Sequence, residues 1–204
     1  MRFLVYGATK GWGDGIGRTV ALSLAERGHE VRGLCRDESK AKAERDFPLQ
    51  AVDLLSEQGQ NRIKEIVREL DPDVIWSACG TGHATPLWAM SDVEIEAMLD
   101  ANVRNNILFS RTCAPSCIDG GPHLVLTGSV AGVLDGVGAA VYSGTKGFLV
   151  PFVRGQRAEY NRQGHKPKIS LLMLHSVRHI GIESIADALE FVAKQSCSVE
   201  LLLT

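Results

Sequence analysis

The 204-residue sequence has no excess of charge of either sign and no dense block of basic residues. Its 22 Lys and Arg residues stand against 24 Asp and Glu residues, which gives a net charge of -2. Such a balance lacks the positive patch that binds nucleic acid or an anionic membrane, so we expect neither partner. No apolar run approaches the roughly 18 residues that span a bilayer, and residues 1–7 are too short for a signal peptide. We therefore expect a soluble, cytoplasmic protein.

The cysteines form no disulfide framework. There are five, an odd number, and they are scattered along the chain, as is typical of a reduced compartment. Cys113 and Cys117 are one helical turn apart, but the six histidines show no matching ligand pattern. We predict buried thiols at these positions and no metal site.

No linker, repeat or low-complexity segment divides the chain, which predicts one domain over residues 1–204. Short β-branched or Leu-rich runs alternate with amphipathic stretches, which indicates βαβ units and a parallel sheet. Several of the runs are apolar at nearly every residue, as happens where helices cover both faces of a sheet. The seven predicted strands are residues 2–6, 30–35, 49–52, 74–77, 123–127, 168–174 and 199–203.

The helices between these strands carry their own start and stop signals. Gly28 is placed to end the first helix, and the Asp71-Pro72 pair to end the second. Ser91 and Glu94 form a capping box that opens a helix expected to run to about Ala114. A last apolar stripe, at Ile185, Ala188, Leu189 and Val192, predicts the final helix.

A glycine-rich loop follows the first strand and opens the first helix. Five glycines fall within residues 7–17. Glycine lets the backbone turn tightly against a pyrophosphate, while the N–H groups of a helix N-terminus favour its negative charge. The glycines fit two registers: Gly7 with Gly11 and Gly13, or Gly7 with Gly15 and Gly17 after a four-residue insertion. We prefer the second, because starting the helix at Ile16 keeps glycines out of its interior.

The residue that closes the second strand of a dinucleotide-binding fold faces the adenosine ribose, where an acid selects NAD. Here that residue is Cys35, followed by Arg36, and Lys10 lies in the loop. An Arg fork matches a 2′-phosphate in charge and geometry. NADP(H) is therefore the predicted cofactor, and NAD(H) is the alternative. For Arg36 itself, the alternative interpretation is a solvated surface residue with no role in cofactor binding.

A second group of residues predicts acid/base chemistry. Ser129 follows the fifth strand, at the edge where active-site groups of an open α/β sheet emerge. Tyr142 and Lys146 are four residues apart, on one face of a helix. A phenol, with a reference pKa of about 10, exchanges protons poorly at neutral pH, and a neighbouring ammonium favours its ionised form. The pair is thus suited to act as an acid and base.

Together these motifs resemble the short-chain dehydrogenase/reductase family. The resemblance covers the chain to about Leu174 and again from Glu183 to the end. It implies a Rossmann-type doubly wound α/β fold, a seven-stranded parallel sheet with helices on both faces. The matching positions are Gly7, Gly15, Ile16, Gly17, Asp53, Asn102, Val103, Thr127, Gly128, Ser129, Tyr142 and Lys146.

The resemblance also implies a hydride transfer between a nicotinamide and a small-molecule substrate, a carbonyl compound or an alcohol. Tyr142 would be the general acid in the reduction, Ser129 would hydrogen-bond the substrate oxygen, and Asn102 would position a relay water. Lys146 would favour the ionised tyrosine and hold the nicotinamide ribose, while Asp53 and Leu54 would contact the adenine. Tyr142 is expected to contact the cofactor as well, and the remaining expected contacts are Gly7, Thr9, Lys10, Gly15, Ile16, Gly17, Arg36 and Gly80.

Four departures from the family pattern stand out. Its Asn-Asn-Ala-Gly appears as residues 77–80, Ser-Ala-Cys-Gly, without the amides that stabilise the central sheet. Pro151 should kink the helix that Tyr142 starts. The insertion in the glycine loop carries Trp12 and Asp14, and the substrate-covering segment after Leu174 is almost absent. Without it the site would be exposed to water, which suggests a bulky substrate or another means of closure.

Candidate substrate contacts are Cys79, His83, Trp88, Leu134, His175 and Arg178. The same fold leaves two other functions open: a lyase or isomerase that uses the tyrosine and lysine without net redox change, and a nucleotide-binding regulatory module with a decayed pocket. The family associates through its two long helices, so a homodimer or homotetramer is expected. The apolar residues expected at that interface are Ile107, Leu108, Phe148, Leu149 and Phe152.

Overall fold

The computed structural model describes residues 1–9, 15–134, 136–175 and 181–203. As predicted, seven parallel strands form one sheet; the structure gives their order as β3-β2-β1-β4-β5-β6-β7. Each predicted strand is present, with ends that differ by at most two residues. The strands are β1 (Arg2–Tyr6), β2 (Glu30–Cys35), β3 (Leu49–Ala51), β4 (Val74–Ser77), β5 (His123–Ser129), β6 (Ile169–Leu174) and β7 (Glu200–Leu203).

Helices cover both faces of this sheet, because the strands are apolar on both sides and each face must be buried. One core contains Val20, Leu24 and Leu189, from helices on the first face. The other contains Ile63, Phe109 and Val153, from helices on the opposite face. The α-helices are α1 (Ile16–Glu26), α2 (Glu38–Ala43), α3 (Glu57–Leu70), α4 (Asp92–Met98), α5 (Asn105–Cys113), α6 (Ala140–Gly147), α7 (Leu149–Arg162) and α8 (Ile182–Ala193).

The predicted helix signals act where expected. Gly28, with φ of 82°, follows the end of α1, and α3 stops before Asp71. The Ser91–Glu94 capping box is formed. The helix that it opens reaches Cys113, but it contains a π-helical segment, Leu99–Arg104, between α4 and α5. The sequence analysis did not foresee this wide turn.

The predicted kink at Pro151 takes a different form. The helix starts at Ala140 rather than Tyr142, and its regular hydrogen bonding is interrupted at Phe148, which keeps helical dihedral angles, before it resumes at Leu149. A proline has no N–H for the carbonyl four residues earlier, and its ring crowds that carbonyl. For Pro151 this carbonyl belongs to Gly147, so the break lies before the proline rather than at it.

One residue expected at a subunit interface lies elsewhere. Leu149 is fully buried in the core, so it cannot contribute to an interface. Leu108, Phe148 and Phe152 are partly buried against that core, whereas Ile107 is exposed. Within the described ranges no helix has the length and apolar character to cross a membrane.

Candidate active site

The sheet places the glycine loop at a change in strand order. β1 pairs with β2 on one side and with β4 on the other, so the crossovers lead away from β1 in opposite directions. In open α/β sheets, ligands bind in the crevice at the carboxyl ends of such strands. Gly7 follows β1 at this point and lies close to the segment after β4. If Gly7 carried a side chain, its Cβ would lie 3.1 Å from the backbone nitrogen of Cys79.

The glycines have the second of the two predicted registers. α1 begins at Ile16, and Gly15 caps it with φ of 68°. Gly7 has φ of 89°, a conformation that favours glycine. A Cβ on Gly17 would collide with the carbonyl oxygen of Gly7, so only glycine lets the helix approach the turn this closely. Residues 10–14, which include Lys10, Trp12 and Asp14, lie outside the described residues.

A crevice of about 560 Å³, here called the glycine crevice, opens above these turns. It is lined by seven of the predicted cofactor contacts: Gly7, Thr9, Gly15, Ile16, Gly17, Arg36 and Gly80. The buried hydroxyl of Tyr6, on the same lining, has no hydrogen-bond partner among the residues that the structure describes. Concave shape, a helix N-terminus and an unsatisfied polar atom all fit a dinucleotide. Asp53 and Leu54 are not on the lining; Leu54 is fully buried in the core.

The end of β2 brings positive charge to this crevice. Cys35, Arg36 and Lys40 all line it, and Lys40 is in the first turns of α2. α2 is held in place by Asp37, whose carboxylate accepts hydrogen bonds from the backbone N–H groups of Ser39 and Lys40. Cys35 offers no carboxylate at this end of the crevice. The charged side chains that line it here are those of Arg36 and Lys40, which are both basic.

A second space of about 380 Å³, here called the tyrosine cavity, adjoins the first. Both are lined by Ile16, Ala78, Gly80 and Thr81, so the two spaces meet along these four residues. Ser129, the last residue of β5, and Tyr142 and Lys146, from α6, line the tyrosine cavity. The structure thus brings together three of the four predicted catalytic side chains.

Glycines set how closely α6 approaches the segment after β4. An added Cβ on Gly82 would lie 2.9 Å from Cδ2 of Tyr142, so the phenol ring packs on this glycine. On Gly80 it would lie 2.9 Å from both Nζ of Lys146 and Oδ1 of Asn102. Because ordinary carbon contacts are about 3.5 Å or longer, only glycine leaves these side chains in place.

Lys146 is a buried cation held by the backbone of β5. Its Nζ donates a hydrogen bond of 3.0 Å to the carbonyl oxygen of Thr127. Burial lowers the pKa of Lys146 to about 8, and the nearby Cys79 opposes this change only in part. The side chain therefore remains mostly an ammonium at neutral pH, at the edge of the tyrosine cavity.

Asn102, the fourth predicted catalytic residue, lies behind the cavity on the π-helical segment. Its Oδ1 accepts a hydrogen bond of 2.8 Å from the backbone N–H of Thr81. Its Nδ2 donates to the carbonyl oxygen of Thr81 at 2.7 Å and to Oγ1 of Thr145 at 2.9 Å. Thr145 in turn donates to the carbonyl oxygen of Tyr142 at 2.8 Å. The side chain thus connects the segment after β4 to α6.

The predicted substrate contacts divide into two groups. His83 and His175 line the tyrosine cavity, and Cys79 lines the glycine crevice. Trp88 and Leu134 are not on either lining and are 88% and 58% exposed. Arg178 lies outside the described residues, as does most of the shortened segment after Leu174.

Three residues were missed by the sequence analysis: Thr127, Thr145 and Asn106. Thr127 was matched to the family without a role, yet its carbonyl holds Lys146. Thr145 lies between Tyr142 and Lys146, and Asn106 is four residues after Asn102 on the same helix face. These spacings were the available signal. Among the described residues, no group of three or more His, Cys, Asp or Glu side chains could hold a metal ion.

Residues 4–173 match the short chain dehydrogenase family, so the chain belongs to this family of oxidoreductases, as the resemblance implied. It is 28% identical over 163 residues to the 3-oxoacyl-(acyl-carrier-protein) reductase of Mus musculus, which covers 76% of this chain and 69% of that protein. It is 32% identical over 161 residues to the very-long-chain 3-oxoacyl-CoA reductase of Mycosarcoma maydis. That match covers 72% of this chain and 45% of the relative, so the chain spans less than half of its length.

Solved structures share the fold. A short chain dehydrogenase from Mycobacterium smegmatis has a TM-score of 0.79 at 20% identity and covers 100% of this chain and 91% of its own. Serine dehydrogenase complexed with NADP+ has a TM-score of 0.75 at 16% identity, with 98% and 94% coverage. 4-Hydroxyisoleucine dehydrogenase complexed with NADH has a TM-score of 0.74 at 18% identity, with 99% and 96% coverage.

Proposed function

We propose that the protein is an NADP(H)-dependent oxidoreductase that interconverts a carbonyl compound and its alcohol. The observation that carries this proposal is the convergence of Ser129, Tyr142 and Lys146 on one cavity that adjoins the glycine crevice. A dinucleotide whose pyrophosphate lies at the N-terminus of α1 would have its other end in this cavity. The bound cofactor would supply the hydride.

The side chains of the tyrosine cavity provide the proton that reduction also requires. Tyr142 donates its phenolic proton to the substrate oxygen as the carbonyl carbon gains the hydride, so an alcohol forms. Ser129 orients that oxygen by a hydrogen bond. The Lys146 ammonium stabilises the phenolate that remains and is held for this task by the Thr127 carbonyl. Oxidation of the alcohol reverses each step.

The preference for NADP(H) rests on the end of β2. Arg36 and Lys40 line the crevice beside Cys35, where an acid would be needed to select NAD(H). Two cations suit a 2′-phosphate and a thiol does not repel it. Lys10 and Asp53 keep their proposed cofactor roles, whereas the side chain of Leu54 is fully buried in the core and is not proposed as an adenine contact. A homodimer or homotetramer remains a proposal.

The surroundings of the cavity favour a bulky substrate with an apolar body. Five large apolar side chains, here called the apolar rim, are exposed on the two segments that continue from the cavity lining: Leu87, Trp88, Val133, Leu134 and Val137. The two segments meet, since an added Cβ on Gly138 would lie 3.5 Å from the carbonyl carbon of Ala84. An exposed patch of this kind often binds a ligand. The two curated relatives are named for 3-oxoacyl substrates, so 3-oxoacyl thioesters belong in the first substrate panel.

The test is NADPH oxidation with a panel of ketones, aldehydes and 3-oxoacyl thioesters of increasing chain length. Replacing Tyr142 with Phe should lower kcat by about 10²- to 10⁴-fold, the range for a lost general acid, while NADPH still binds. Tyr160→Phe, a phenol on α7 away from both spaces, is the matched control and should keep full activity. Undiminished turnover by Tyr142→Phe would reject the role of this tyrosine. Product without cofactor consumption would instead indicate a lyase or isomerase, and NADPH binding without turnover a regulatory module.

A further inference from the structure

Asn106, on α5 behind the site, supplies a side-chain amide next to the end of β4, where the family pattern has an Asn on the strand itself. β4 ends in Ser77, where the family has the first Asn of its Asn-Asn-Ala-Gly motif. The Ser77 hydroxyl donates a hydrogen bond of 2.8 Å to Oδ1 of Asn106, on α5. Both residues are fully buried, so this bond is closed to water.

The other end of the same amide reaches the π-helical segment. Nδ2 of Asn106 donates a hydrogen bond of 2.8 Å to the main-chain carbonyl oxygen of Asn102. A π turn changes the backbone partners of a helix by one residue, as the hydrogen bond from the Asn105 N–H to the Asp100 carbonyl shows. The Asn106 amide therefore fixes the geometry of the π turn at Asn102, one of the residues of this turn.

We propose that Asn106 is a positioning residue that acts through Asn102 and replaces the missing strand amide. Asn106 ties the end of β4 to the π turn, and Asn102 then holds the main-chain N–H and carbonyl of Thr81. Thr81 lines both the glycine crevice and the tyrosine cavity. The chain of hydrogen bonds therefore fixes the wall where the two spaces meet.

This inference rests on the proposed function only for its kinetic consequence. Losing the tie should let the Thr81 wall relax without removing any group that contacts cofactor or substrate. Displacements well below 1 Å are costly to a reacting geometry, so kcat should fall about tenfold while KM for NADPH changes little.

The test compares two substitutions that each delete one buried hydroxyl. Ser77→Ala removes the donor to Asn106. Ser110→Ala removes an equally buried hydroxyl from the helix that carries Asn106; Ser110 donates a hydrogen bond of the same 2.8 Å to Gln156, on α7, which is only partly buried. Asn106→Leu removes the amide itself. The first readout is amide hydrogen exchange of residues 78–84 in the protein without cofactor, and the second is the separate change in kcat and KM.

We expect exchange in residues 78–84 to be about tenfold faster in Ser77→Ala and Asn106→Leu, with the drop in kcat, and neither change in Ser110→Ala. If Asn106→Leu does not fold, Ser77→Ala decides the question. Equal behaviour of Ser77→Ala and Ser110→Ala in both readouts would overturn the proposal. If the wild-type protein reduces no carbonyl, the proposed function fails, and hydrogen exchange still decides whether Asn106 holds the wall.

Discussion

Replacing Gly82 with Ala tests the site through the contact between this glycine and the catalytic phenol. The added Cβ would lie 2.9 Å from Cδ2 and 3.1 Å from Cε2 of Tyr142. Carbon atoms normally approach to about 3.5 Å, so the ring must move by roughly 0.5 Å. A misplacement of about 1 Å can cost about 100-fold in rate, so we expect kcat to fall about tenfold.

Gly144→Ala is the matched control, since Gly144 is on α6 between Tyr142 and Lys146. Its added Cβ would meet nothing within 4 Å. This change should keep the wild-type kcat and stabilise the helix by up to about 1 kcal/mol. The assay is steady-state NADPH oxidation with the best carbonyl of the panel, together with NADPH binding by fluorescence. NADPH affinity should change little in both variants, because neither added Cβ meets a residue of the glycine crevice, which would hold most of the cofactor. Equal kcat values for Gly82→Ala and Gly144→Ala would refute the reasoning.

Three further predictions concern charge. Because burial lowers the pKa of Lys146 to about 8, its ammonium is lost above that pH, and kcat/KM for NADPH should fall there; a plateau to about pH 10 would contradict this. Cys35→Asp should favour NADH and weaken NADPH binding, seen as a changed ratio of the two kcat/KM values; an unchanged ratio would argue against Cys35 facing the ribose. Burial alone would raise the pKa of Glu44, but hydrogen bonds from Arg18 and two backbone N–H groups lower it to about 2. Its ionised form thus contributes at most about 3 kcal/mol at neutral pH, lost as pH falls from about 4.5 towards 2. The difference in unfolding free energy between wild type and Glu44→Gln should shrink by more than half from about pH 7 to 3, and a constant difference would exclude the effect.

The sequence predicted the parts of the fold that depend on local patterns. The strands follow from apolar runs, and the start of α1 follows from the cost of glycine inside a helix. The capping box at Ser91 is a short-range hydrogen-bond motif, so its two residues were enough to predict it. Ser129, Tyr142 and Lys146 were expected in one site because β5 and the following helix carry them to one edge of the sheet.

Features that depend on contacts between distant segments were not predictable. The π turn around Asn102 is held by Thr81, Thr145 and Asn106, and no local propensity encodes that combination. The interruption at Phe148, by contrast, has a local cause, because Pro151 crowds the carbonyl four residues upstream and so acts before its own position. Leu149 was expected at an interface because it is apolar, but only its packing shows that it belongs to the core.

Isotope transfer tests the central claim most directly. The purified protein would be incubated with a carbonyl substrate and NADPH that carries deuterium on the transferring face of nicotinamide C4. Mass spectrometry of the alcohol should show one deuterium on the former carbonyl carbon, and the yield should fall sharply in Tyr142→Phe. An alcohol free of deuterium, or undiminished transfer in Tyr142→Phe, would contradict the assignment of this site.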